Sequence, residues 1–120
     1  MLKWDPFDLL NCLKVEPHTD KDGVEHSYSV AHNGLRLLIT VFQYDGDVYF
    51  SLYRDGESST SILDLKICQC PAIQYGETKH DEWLDFLPGR LPDAPHDKAA
   101  AIARGVRVKI YPDIRLEFLK

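Results

Sequence analysis

Residues 28–57 read YSVAHNGLRLLITVFQYDGDVYFSLYRDGE. Three turn dipeptides, Asn33-Gly34, Asp45-Gly46 and Asp55-Gly56, each follow a run of apolar, β-branched and aromatic residues. Asn-Gly and Asp-Gly are strong short-range hairpin signals, because tight turns between twisted strands need residues that tolerate positive φ. The stretch therefore predicts consecutive antiparallel strands. Alternation assigns their faces. In 48–54, Val48, Phe50 and Leu52 fall inward while Tyr49, Ser51 and Tyr53 fall outward. Just upstream, Val24, Tyr28 and Val30 share one face, with Glu25, Ser27 and Ser29 on the other. Residues 35–44 (LRLLITVFQY) are apolar on both faces, which predicts a strand covered on both sides.

Working outward, residues 62–70 supply a fourth strand with Leu63, Leu65 and Ile67 facing in. Pro71 has no N–H to give a ladder and interrupts it, and a short strand resumes at 72–75. Residues 82–87 (EWLDFL) fit either a strand or one helical turn, and 88–97 form a proline-rich loop. Asp97 is placed to cap a short helix through Ala99, Ala100, Ala101, Ile102 and Ala103, closed by Gly105. Beyond it, Val106, Val108, Ile110, Ile114, Leu116 and Phe118 keep one phase. With Pro112 on that face, 106–118 is either one bulged edge strand or two strands around a Pro-Asp turn. At the other end, Asp5-Pro6 pairs an N-cap with a proline at the first helical position. Phe7, Leu10 and Leu13, widened by Leu9, make the predicted apolar stripe of a helix running to about Val15, before Pro17. The whole is one domain over residues 1–120, α+β and β-rich: an antiparallel β-meander or half-barrel with an N-terminal helix on one face.

A chain of 120 residues buries about two-thirds of its unfolded surface and needs no metal or disulfide staple. Fourteen Lys and Arg against nineteen Asp and Glu give a net charge of −5. That balance disfavours a phosphate backbone as partner and favours a basic protein. No run approaches the roughly 18 apolar residues of a membrane span. The start, Met1-Leu2-Lys3-Trp4-Asp5-Pro6, lacks the apolar core of a secretory leader. Three cysteines, two of them separated only by Gln69, argue against a disulfide framework and for a reducing cytoplasm.

Chemistry-bearing residues form no recognised catalytic or cofactor motif. His18, His26, His32, His80 and His96 are scattered, and His18 with Asp20 and Asp22 lacks the length and terminal Glu of a calcium loop, so no metal is expected. Cys68 and Cys70 fall short of a zinc ligand set and read as core residues. Ser58, Ser59, Thr60 and Ser61 lack the strand-to-helix setting of a nucleophile elbow. No cofactor and no catalysis are expected. What stands out is a set: Asp45, Asp47, Asp55 and Glu57 at the turns bounding Tyr49 and Tyr53, and Trp83 beside Asp85. Tyr and Trp dominate binding hot spots, and nearby carboxylates select the partner's charge. The alternative is that these aromatics pack beneath the N-terminal helix.

In this general character, best expressed in residues 35–57 (LRLLITVFQYDGDVYFSLYRDGE), the chain resembles the immunity proteins of bacterial polymorphic-toxin and contact-dependent inhibition systems. No motif carries the resemblance, so no family residue transfers to a position here. It implies a non-catalytic cytoplasmic protein that neutralises a cognate toxin domain, often a nuclease, by stoichiometric binding. Asp45, Asp47, Asp55 and Glu57 would steer a basic toxin toward the chain. Tyr49, Tyr53 and Trp83, with Asp85, would supply the contacts. Two rival readings remain. One is a small-ligand-binding or enzymatic β-barrel with His26, Tyr28, Tyr44, Cys68 and Trp83 inside. The other is a structural subunit of a phage or secretion particle that assembles through strand edges.

Overall fold

The computed structural model describes residues 2–56, 59–91 and 100–119. A helix, α1 (Pro6–Leu13), opens the chain. The Asp5 carboxylate accepts the Phe7 N–H, and Lys14, at φ 61, ends the helix by donating its N–H to Leu10 O. Among the described residues ten strands follow: β1 (His18–Thr19), β2 (Glu25–His32), β3 (Leu35–Phe42), β4 (Asp47–Arg54), β5 (Leu63–Ile67), β6 (Ile73–Glu77), β7 (Glu82–Phe86), β8 (Ala100–Ala101), β9 (Val106–Lys109) and β10 (Arg115–Phe118). They form two sheets, ordered β1-β2-β3-β4-β5-β8 and β10-β9-β7-β6, which do not close into a barrel. No helix among the described residues is long and apolar enough to cross a membrane.

The first sheet is the predicted meander. Asn33 (φ 49) and Gly34 (φ 84) make the two-residue turn that twisted strands favour, and β2 and β3 pair from His32↔Leu35 onward. The β3–β4 connection is wider. It spans residues 43–46, with the Gly46 N–H bonded to Phe42 O. β8 breaks the antiparallel order, running parallel to β5. The second sheet is antiparallel throughout, and the chain enters it past Pro71.

Each sheet has one apolar face, and the two faces pack together. Tyr28, Leu37, Ile39, Val41, Val48, Phe50 and Ile67 come from the first; Leu84, Phe86, Val106 and Val108 from the second. Phe50 meets Phe86 edge to face, with ring centroids 4.9 Å apart. At one end the Cys70 N–H donates to Gly46 O at 2.8 Å. At the other, His32 Nε2 and Asn33 Nδ2 bond to Pro112 O at 2.8 and 2.9 Å, and Asn33 also donates to Asp113.

Four expectations change. The helix buries Leu9, Cys12 and Leu13 against β6 and β7, whereas Phe7 is 70 % exposed. Spacing alone favoured Phe7, but Leu9–Cys12–Leu13 is the i, i+3, i+4 set, and Cys12 is a small apolar group when buried. β3 is not covered on both sides: Leu37, Ile39 and Val41 are buried, while Leu38, Thr40 and Phe42 lie half-buried on the outer face. Ala100 and Ala101 form a strand, so the expected helix does not include them; Asp97 and Ala99 lie outside the described residues. The expected fourth strand over 62–70 covers only Leu63–Ile67, and Leu63, expected to face in, is 40 % exposed. Two open alternatives also resolve: Glu82–Phe86 is strand, and 106–118 holds two strands.

The helix phase is directly testable. Leu9→Ala should cost about 2–5 kcal/mol of folding stability in denaturant melts, the usual range for a buried leucine. Phe7→Ala should stay within about 0.5 kcal/mol of the parent.

Candidate functional site

Residues opposite one another in paired strands share a face, so the buried Val48 and Phe50 force Tyr49, Ser51 and Tyr53 outward. Three cross-strand rows then form the outer face of the first sheet: Ser27–Thr40–Tyr49–Lys66, Ser29–Leu38–Ser51–Asp64 and Ala31–Arg36–Tyr53. The rings are held in place. The Arg36 guanidinium lies 4.4 Å from the Tyr53 ring centroid, and Lys66 Nζ lies 4.8 Å from that of Tyr49. Phe42 meets Tyr49 edge-on at 5.6 Å. Ser51 Oγ donates to Asp64 at 2.7 Å, and Ser61 donates to the same carboxylate. Since α1 packs against β6 and β7, it does not roof these tyrosines.

The acids around this face divide by duty. Asp45 and Asp55 are exposed at the two hairpin tips. The eight residues of β4 separate them, a span of roughly 25 Å at strand rise. Asp47 is engaged: it accepts the Gln69 N–H at 3.0 Å and stands 3.9 Å from Lys66. Glu57 lies outside the described residues.

Trp83 and Asp85 are on the second sheet. Leu84 and Phe86 point into the core, so these two face out on the far side of the molecule from Tyr49 and Tyr53. Trp83 stands opposite Gly76, and a Cβ there would meet the indole at 2.4 Å, so the ring lies directly over that backbone. Arg107 sits 4.7 Å above the ring and grips Asp85 with two bonds of 2.7 and 3.0 Å. Lys109 lies 5.8 Å from the same ring and bonds Asp81 at 2.8 Å. The cations Arg36, Lys66, Arg107 and Lys109 were not among the expected site residues. Their signal lies in strand register, which places each beside an aromatic ring.

The pocket of the barrel reading is not assembled. Tyr28 is in the core, Tyr44 is 55 % exposed, Cys68 is buried, and Trp83 is on an outer face. Burial pushes the Cys12 thiol up to about 12 and that of Cys70 up to about 11, so both are poor thiolates. Near the helix end, Glu82 accepts from Lys14 at 2.9 Å and from the Tyr75 hydroxyl at 2.7 Å.

No protein-family model and no curated protein sequence matches this chain. Its fold does match a solved structure, a chain of "Contact-dependent growth inhibition toxin - immunity protein complex from Klebsiella pneumoniae 342". The TM-score is 0.75 at 13 % sequence identity, over 98 % of this chain and 95 % of that one. The likeness is one of fold.

The Lys14–Glu82 and Lys109–Asp81 pairs tie the acid limb of stability to this corner. Burial raises the Glu82 pKa, but the bonds from Tyr75 and Lys14 outweigh it and hold the group below 4.5. The bond from Lys109 holds Asp81 below 3.8. Depressed folded-state values contribute stability above the unfolded pKa, which is lost as pH falls through the folded one. Glu82→Gln should therefore flatten the loss of stability below about pH 4.5 in urea melts against pH, leaving its shape above pH 6 unchanged.

Proposed function

We propose that this protein is an immunity protein, which binds a cognate toxin domain stoichiometrically and neutralises it by covering part of its surface. The observation that carries the reading is the near full-length fold match to a chain of a toxin–immunity complex. The outer face of the first sheet is the proposed contact surface. Tyr49 and Tyr53 are the residue type that anchors protein interfaces, and their rotamers are pinned by Lys66 and Arg36. A ring already fixed in the free protein loses little freedom on binding, which favours affinity.

The partner we infer is basic, as the nucleic-acid-binding cleft of a nuclease toxin is. Asp45 and Asp55, exposed at opposite ends of β4, would steer it electrostatically, while the face between them carries mixed charge. Asp47 has a holding role within this arrangement, and Trp83 and Asp85 take part only if the partner wraps an edge of the sandwich. In this reading the protein turns over no substrate and acts in the cytoplasm, where such a toxin would work.

Tyr49→Ala and Tyr53→Ala should each weaken toxin binding by about 2 kcal/mol or more while costing about 1 kcal/mol of stability. Calorimetric titration with the partner recovered by pull-down from the native host, beside denaturant melts, separates binding from folding. Association should also slow as salt rises, since screening cuts the reach of Asp45 and Asp55 to about 8 Å at physiological ionic strength. Unchanged affinity in both tyrosine variants would move the contact surface elsewhere.

A further inference from the structure

Strand edges are where a β protein can gain a neighbour, and the two edges of the second sheet differ in how open they are. The first sheet ends on strands of only two residues, β1 and β8. β6 is engaged at its start by Lys3, which bridges Ala72 and accepts the Ile73 N–H at 3.0 Å. β10 is different. Among the described residues no strand pairs with its outer edge, and Phe118, with the Arg104 guanidinium 5.1 Å from its ring, is 50 % exposed.

The direction of its free backbone groups follows from the ladder. Leu119 N–H bonds Gly105 O at 2.9 Å. Counting back by twos, Glu117 and Arg115 turn their N–H and C=O toward β9, so Leu116 and Phe118 turn theirs outward. A second copy related by a two-fold axis through Leu116 satisfies these groups, because Leu116 then exchanges both bonds with its own counterpart. The same register sets Arg115 opposite Glu117 of the second copy, twice, on the outer face. On the core-facing side it sets Phe118 against Ile114. Each charge meets its opposite, and Phe118, beside Arg104, meets the position of the buried Ile114. β6 offers no such match: an axis through Tyr75 would set Ile73 opposite Glu77.

We propose that the protein self-associates through antiparallel pairing of β10 with β10 of a second copy, joining two four-stranded sheets into one of eight strands. The Tyr49–Tyr53 face lies on the other sheet and stays open in this dimer. The inference goes beyond the immunity reading and is tested on the chain alone.

Sedimentation of the purified chain from about 1 µM to 1 mM should show a concentration-dependent monomer–dimer equilibrium. Glu117→Arg, which faces Arg115 with a like charge, should weaken the dimer about tenfold or more, and Arg115→Glu combined with Glu117→Arg should restore it to within about threefold. Thermal melts establish that each variant is folded. Under mild oxidation Leu116→Cys should cross-link, since opposed residues of a hydrogen-bonded pair lie about 5.5 Å apart at Cα. Leu119→Cys should not, because the two copies of residue 119 would lie about 20 Å apart along the strands. The proposal is overturned by a chain that stays monomeric to 1 mM, by a folded double swap that does not recover, or by equal cross-linking at 116 and 119. It is also overturned if the amides of Leu116 and Phe118 become protected from exchange only when a toxin is added, which would make a toxin strand the occupant of the edge.

Discussion

Everything in this molecule hangs on the face-to-face packing of two sheets that each have one apolar side, centred on the contact between Phe50 and Phe86. Once Phe50 is inside, strand alternation leaves Tyr49 and Tyr53 no choice but the outside of the first sheet. Once Phe86 is inside, Trp83 and Asp85 must face out from the second. The two aromatic groups, which look like one surface along the chain, are therefore separated by the full thickness of the core. Sheets packed this way stand about 10 Å apart, so a flat partner reaches one group or the other.

Most of the first sheet was legible because its signals are local. A two-residue Asn-Gly turn needs only its own φ angles, and the N-cap at Asp5 needs only the next two residues. Register was harder. Reading Asp45-Gly46 as a two-residue turn would set Arg36 opposite Asp55, whereas the wider connection at 43–46 sets it opposite Tyr53. The shift of two residues preserves every face and changes every pair, which is why the outward tyrosines could be foreseen and the cations resting on them could not. Phe7 misled because hydrophobicity was weighed without knowing what the helix would meet. Ala100 and Ala101 misled because helix propensity is a weak prior against an open edge beside β5. The fourth strand stops at Ile67, where the chain turns through Gln69 at φ 53 ahead of Pro71, and nothing local told that a second sheet would begin beyond it.

The placement of charge matters for how such a surface can discriminate. The acidic excess of the sequence does not coat the tyrosine face, where Arg36 and Lys66 sit on the rings and Asp47 and Asp64 are already bonded. Free carboxylates stand at the strand ends instead. Attraction over distance and recognition at contact therefore fall to different residues, so one can vary without rebuilding the other.

Links to and within the second sheet are fastened to the first at opposite ends of β3: the Cys70–Gly46 bond lies past its C-terminal end, and the bonds from His32 and Asn33 to Pro112 lie before its N-terminal end. The first ties the β3–β4 turn to the link that leads into β6, and the second ties the β2–β3 turn to the link between β9 and β10, so the outward faces sit on a plate braced at both ends. A lineage that needed to follow a changing adversary would have to do so by repainting the plate, one outward side chain at a time, with the frame beneath left untouched.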